Sequence, residues 1–121
     1  MTTLEHQHCF PCEGLGSTLD EEAITYHLHQ LAMNWQVSPD NKTIFNDFTF
    51  KNYYHVIAFV NALAWIAHHE NHHPDLEVGY NHCLVRYSTH ALGGLTKNDF
   101  ICAAKTNSLF QSYLEKYHDR K

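Results

Sequence analysis

Residues 52–90, NYYHVIAFVNALAWIAHHENHHPDLEVGYNHCLVRYSTH, change their hydrophobic period part-way along, and that change decides the fold. From Asn52 to about Asn71, the residues Val56, Phe59, Val60, Leu63, Ile66 and Ala67 recur at helical spacing and form one apolar stripe. Tyr54, Ile57, Ala64 and Trp65 put further apolar surface on neighbouring faces, so this helix is expected to be covered on more than one side. A subunit interface is a natural cover for the second side. Pro74 closes the segment, because the residue before a proline avoids helical geometry. A weak strand is expected around Leu76 to Val78. From Tyr80 to Thr89 the pattern alternates: Cys83, Val85 and Tyr87 point one way, and His82, Leu84, Arg86 and Ser88 the other. That is a strand with one core face.

The same signals extend in both directions. Upstream, Asp20 reads as a helix N-cap, with Glu21 and Glu22 in the first turn. Ile24, Leu28 and Leu31 continue that helix to about Met33. Trp35 to Val37, the turn residues Ser38-Pro39-Asp40-Asn41, and Ile44 to Phe50 read as a β-hairpin. Downstream, Gly93-Gly94 breaks the alternating strand. Thr96-Lys97-Asn98-Asp99 resembles a capping box with Asp in the place of Glu or Gln, and opens a third helix to about His118. The order α-β-β-α-β-β-α predicts an α+β fold: a single antiparallel four-stranded sheet with three helices packed on one face. Length suits a single domain over residues 1–121, with 1–17 an irregular N-terminal segment.

Composition narrows the function. The formal net charge of −5, without a basic run beyond Arg120-Lys121, argues against a nucleic-acid partner. Val56 to Ala67 is too short for a membrane span, and Met1 to Phe10 shows no basic stretch leading into an apolar one. A cytoplasmic protein is therefore expected. Cys9, Cys12, Cys83 and Cys102 are expected as free thiols in that setting. Cys9-Phe-Pro-Cys12 has C-x-x-C spacing but lacks a second pair to complete a zinc site.

Histidine is the residue out of proportion. Six of the 12 lie between His68 and His90, and imidazole is the side chain that exchanges protons near neutrality. If the second helix continued through its end, His68 and His72 would share a face, as would His69 and His73. Such pairs can chelate a metal. The alternative is proton transfer without metal, with His72 and His73 at the helix end and His90 at the far end of the strand around one pocket.

The string His72-His73-Pro74-Asp75, Tyr80-Asn81, Ser88-Thr89-His90, Gly94-Leu95-Thr96 and Asp99 resembles the signature of the pterin-4a-carbinolamine dehydratase family. Cys12-Glu13-Gly14, the acidic start of the first helix, Trp35, and the strand leading to Asn52-Tyr53 agree with it. The resemblance implies an enzyme that dehydrates the 4a-hydroxytetrahydropterin released by an aromatic amino acid hydroxylase, its functional partner, in tetrahydrobiopterin recycling. It implies no metal and no cofactor. By analogy His72 and His90 are the acid/base residues, and His73 mainly holds the pterin. Pro74, Thr89, Ala91 and Leu92 line the site, with His68 and Asp99 in support. His68 stands where relatives often carry an acidic residue, and a neutral imidazole brings no fixed negative charge. The resemblance further implies a homodimer or homotetramer. Two other readings stand beside it: a non-enzymatic binding or regulatory partner, and a His-cluster metal-binding protein.

Overall fold

Helix gives way to strand at Pro74 in the computed structural model, which describes residues 3–11 and 16–117. Cys12-Glu13-Gly14 and His118, on which parts of the sequence reading rest, lie outside the described residues. In chain order the elements are α1 (Glu21–Gln30), β1 (Gln36–Val37), β2 (Ile44–Thr49), α2 (Tyr53–Glu70), β3 (Asp75–Val78), β4 (His82–Tyr87) and α3 (Lys97–Tyr117). The strands form one antiparallel sheet in the order β1-β2-β4-β3, with the three helices packed against it. This is the α+β arrangement that the order of elements predicts.

The alternation in β4 does what it foretold. Cys83, Val85 and Tyr87 are buried on the helix side of the sheet, while His82, Leu84 and Arg86 are only half-buried on the other. Val56, Phe59, Leu63 and Ala67 of α2 are buried, and with Phe100, Ile101 and Ala103 of α3 they build the core. The opposite side of α2 stays open: Tyr54 is 77% exposed and Trp65 70%. Among the described residues, no helix is long and apolar enough to cross a membrane.

The cap expected at Asp20 forms, and Asn52 caps α2 in the same way. Asp20 accepts the amide of Ala23 at 2.8 Å, and Asn52 accepts that of His55 at 3.0 Å. The first helix stops at Gln30 rather than near Met33. Met33 and Asn34 take left-handed backbone angles there (φ 69° and 58°). Tertiary bonds hold this reversal in place. Asn107 Nδ2 donates to the Ala32 carbonyl at 2.9 Å, and Asn46 Nδ2 donates to that of Met33. Those partners lie far along the chain, so helical periodicity could not announce them.

Ahead of α1, Leu4–His6 make one 3₁₀ turn, and Leu4 is buried against the core. Cys9, Cys83 and Cys102 are free thiols, with the Cys9 and Cys102 sulfurs 3.4 Å apart.

Candidate active site

The site begins with the way α2 ends. Asn71 adopts a left-handed conformation (φ 52°, ψ 41°). Its amide donates to the carbonyl of His68 at 3.2 Å, and the amide of His72 donates to that of Ala67 at 3.1 Å. This is a Schellman ending with Asn in the usual place of Gly. The helix therefore stops at Glu70, and neither His72 nor His73 belongs to it. The i, i+4 pairing of His68 with His72 and of His69 with His73, which a continued helix would have made, does not form. His68 instead sits beside Trp65 on the exposed side, with 6.1 Å between ring centroids.

The turn sends His72 inward. It is 8% exposed, and its Nε2 lies 2.6 Å from Oδ1 of Asp99, which is fully buried. Asp99 is held by the first turn of α3. Its Oδ2 accepts the amide of Thr96 at 2.9 Å, and the Thr96 hydroxyl accepts the amide of Asn98 at 3.2 Å. Asp99 closes its half of the expected capping box, while the Thr96 hydroxyl takes the amide of Asn98 rather than that of Asp99. Oδ2 also accepts the hydroxyl of Thr89 at 2.9 Å, and Thr89 and Thr96 share a further contact of 2.7 Å. One carboxylate thus gathers contacts from His72, Thr96 and Thr89. An ionised carboxylate only accepts, so beside it the His72 proton in this contact belongs to Nε2, and Nδ1 is the ring nitrogen outside the bond. Tyr87 lies parallel to the imidazole at 6.1 Å, and burial pushes its phenol far up. It stays protonated and shares a 2.9 Å contact with Thr106.

His90 follows Thr89 immediately, at the start of a 3₁₀ turn over His90–Leu92. The turn closes through Gly93, whose φ of 70° suits glycine, and an antiparallel bridge joins Thr89 to Gly94. The His90 side chain is 71% exposed, with Nε2 3.6 Å from Oδ2 of Asp75. The two site segments are therefore tied at two points: His72 to Thr89 through Asp99, and His90 to the residue after Pro74.

The remaining candidates sit around this junction. His73 and Ala91 are exposed, Pro74 and Leu92 are half-buried, and Thr89 is buried. His72 lines a hollow of about 200 Å³ with Cys9, Phe10, Glu70, Asn71 and Asn98, and this hollow includes neither His73 nor His90. Those two imidazoles are presented on the open surface. Asp75, the last residue of the His72-His73-Pro74-Asp75 string, is the partner of His90 that the motif alone does not assign. An acidic residue at the first position of an edge strand was the available signal. The hydroxyl contacts of Thr89 and Thr96 left no trace in the spacing.

The family model described as pterin 4 alpha carbinolamine dehydratase matches residues 17–109, which span every element from α1 to the middle of α3. The chain belongs to this family. A Legionella pneumophila relative that carries the provisional name pterin-4-alpha-carbinolamine dehydratase is 58% identical over 106 residues, covering 88% of this chain and 94% of its own. A Nitrosospira multiformis relative with the same provisional name is 56% identical over 108 residues, covering 89% and 93%. Among solved structures, a Brucella melitensis protein described as a transcriptional coactivator/pterin dehydratase superposes with a TM-score of 0.72 at 29% identity, covering 77% of this chain and 98% of that one. A pterin dehydratase-like protein described as a RuBisCO assembly factor shares the fold at 23% identity, with a TM-score of 0.52, covering 67% and 92%. Membership of the dehydratase family thus covers the whole of the His72 to Asp99 site.

Proposed function

We propose that this protein is a dehydratase acting on 4a-hydroxytetrahydropterins and giving the quinonoid dihydropterin. The observation that carries the reading is the Asp99 carboxylate, which anchors His72 and, through Thr89, fixes the backbone from which His90 projects. The names of the relatives support it. In the reaction the C4a–O bond breaks, the hydroxyl leaves with a proton as water, and N5 gives up its proton as the C4a–N5 double bond forms. An acid and a base suffice, each proton transfer being worth roughly 10²–10⁴ in rate.

His72 and His90 are the acid/base pair in this proposal. His72 keeps Nδ1 for exchange while Asp99 orients the ring, and His90 works beside Asp75. His73 holds the pterin, and Pro74, Thr89, Ala91 and Leu92 frame the ring. The substrate is the product of an aromatic amino acid hydroxylase, so the enzyme returns the pterin to tetrahydrobiopterin recycling. The open side of α2, with Tyr54 and Trp65, supports a homodimer or homotetramer.

Stopped-flow decay of a 4a-hydroxytetrahydropterin tests the assignment. The wild-type chain should accelerate loss of water, and the His73→Ala, His90→Ala double variant should not. Equal acceleration by the double variant would remove both residues from the mechanism.

A further inference from the structure

A second group of histidines lies behind the site, where the N-terminal segment crosses the end of α2. His8, His69 and Glu70 each bring one ligand atom to within 4.8 Å of the others. The Glu70 side chain is only 4% exposed. The amide of Cys9 holds its Oε1 at 2.7 Å, and Oε2 faces Nδ1 of His8 at 2.8 Å. The rings of His8 and His69 meet edge to face with centroids 6.1 Å apart. The three residues border a hollow of about 350 Å³ that also touches Trp65 and Lys105, giving an ion a path in and room for a water.

Two imidazoles and one carboxylate, with a position left for water, are a ligand set that zinc accepts. Bonds of about 2.0–2.1 Å place tetrahedral ligands roughly 3.4 Å apart. Reaching that spacing requires rotation of His8 and His69, both exposed, while the backbone amide keeps Glu70 in place.

We propose that His8, His69 and Glu70 bind a divalent transition-metal ion of the zinc type, clasping the N-terminal segment to the end of α2. Lys105 sets the strength of this site. Its Nζ lies 3.8 Å from Glu70 Oε2 and donates to the Glu5 carbonyl at 2.9 Å, so a like charge faces the incoming ion. The clasp is therefore weaker than one without a neighbouring cation. The ion has no part in the dehydration proposed above, and either proposal can fail without the other.

Zinc chloride titrated into the full-length, tag-free chain and followed by calorimetry tests the clasp. Cobalt(II), read by its visible absorption, reports the ligand geometry. One equivalent should bind and raise the melting temperature, because the unfolded chain lacks the assembled ligands. His8→Ala and His69→Ala should each weaken binding by more than about 100-fold, beyond the cost of losing an outer partner. His29→Ala, at an exposed position on α1, should bind as the wild type does. The proposal is overturned if the wild type takes up no ion, or if one equivalent still binds to the His8→Ala, His69→Ala double variant with unchanged affinity.

Discussion

Nε2 of His72 and Oδ1 of Asp99 are 2.6 Å apart, joining residues 27 positions apart in sequence. The imidazole is 8% exposed and the carboxylate not at all. The same carboxylate caps α3 and receives the Thr89 hydroxyl, so the helix start, the strand end and the His72 imidazole are fixed by one group.

Asp99→Asn tests that sharing. The amide keeps the shape but loses the charge, and its NH₂ group would face a donor. Dehydration should slow by about 10²-fold or more in kcat with little change in KM, because the His72 ring loses the group that orients it. Urea unfolding should show a loss of about 1–3 kcal/mol for the unsatisfied buried donors. A variant that is destabilised but keeps the wild-type kcat would leave Asp99 a structural role only.

His73→Ala and His90→Ala should separate activity from stability. Both side chains are exposed, so unfolding free energies should stay within about 0.5 kcal/mol of the wild type. His90→Ala should lower kcat by roughly 10²–10⁴. His73→Ala, having lost a binding contact, should act mainly on KM. Steady-state kinetics with a synthetic carbinolamine would check both.

Asn107→Ala probes the reversal after α1. The side chain accepts the indole N–H of Trp35 at 2.7 Å and donates to the Ala32 carbonyl at 2.9 Å. Its removal leaves a buried indole donor unpaired, at a cost of about 1–3 kcal/mol. Urea midpoints would measure the loss. A change in tryptophan fluorescence would locate it at Trp35, since the other tryptophan, Trp65, is exposed.

Cys83 makes the protein sensitive to alkali. Burial, aided by the charge of Asp47, pushes its thiol up from 9.0 to about 11. The unfolded chain releases this proton first, so the unfolded state binds fewer protons over that window. Stability from this group is present below pH 9 and falls as pH rises toward 11. Cys83→Ala should flatten the decline in urea midpoint across that range. Native protein at pH 8 should leave Cys83 unalkylated by iodoacetamide until it is unfolded.

Local signals carried much of the architecture. Asp20 announced the start of α1 because a cap acts within three residues. The alternation in β4 announced the core face because a strand has a period of two. The end of α1 was missed by three residues because Asn46 and Asn107 hold it from other parts of the fold. The end of α2 was placed within a residue, yet the direction taken by His72 depended on Asn71 entering the left-handed region. That turn separated His72 from His68, which the spacing had set on one face.

The sequence by itself determined the order of elements, the buried side of the sheet and the residue types available for proton transfer. Each of these depends on neighbours within a turn or a strand. Tertiary structure alone decided that His72 meets Asp99, that His90 stands beside Asp75, and that His68 turns away. Those contacts require β3 to lie antiparallel to β4 in one register, with α3 starting beneath the junction. A slip of a single residue would reverse every side chain and part them.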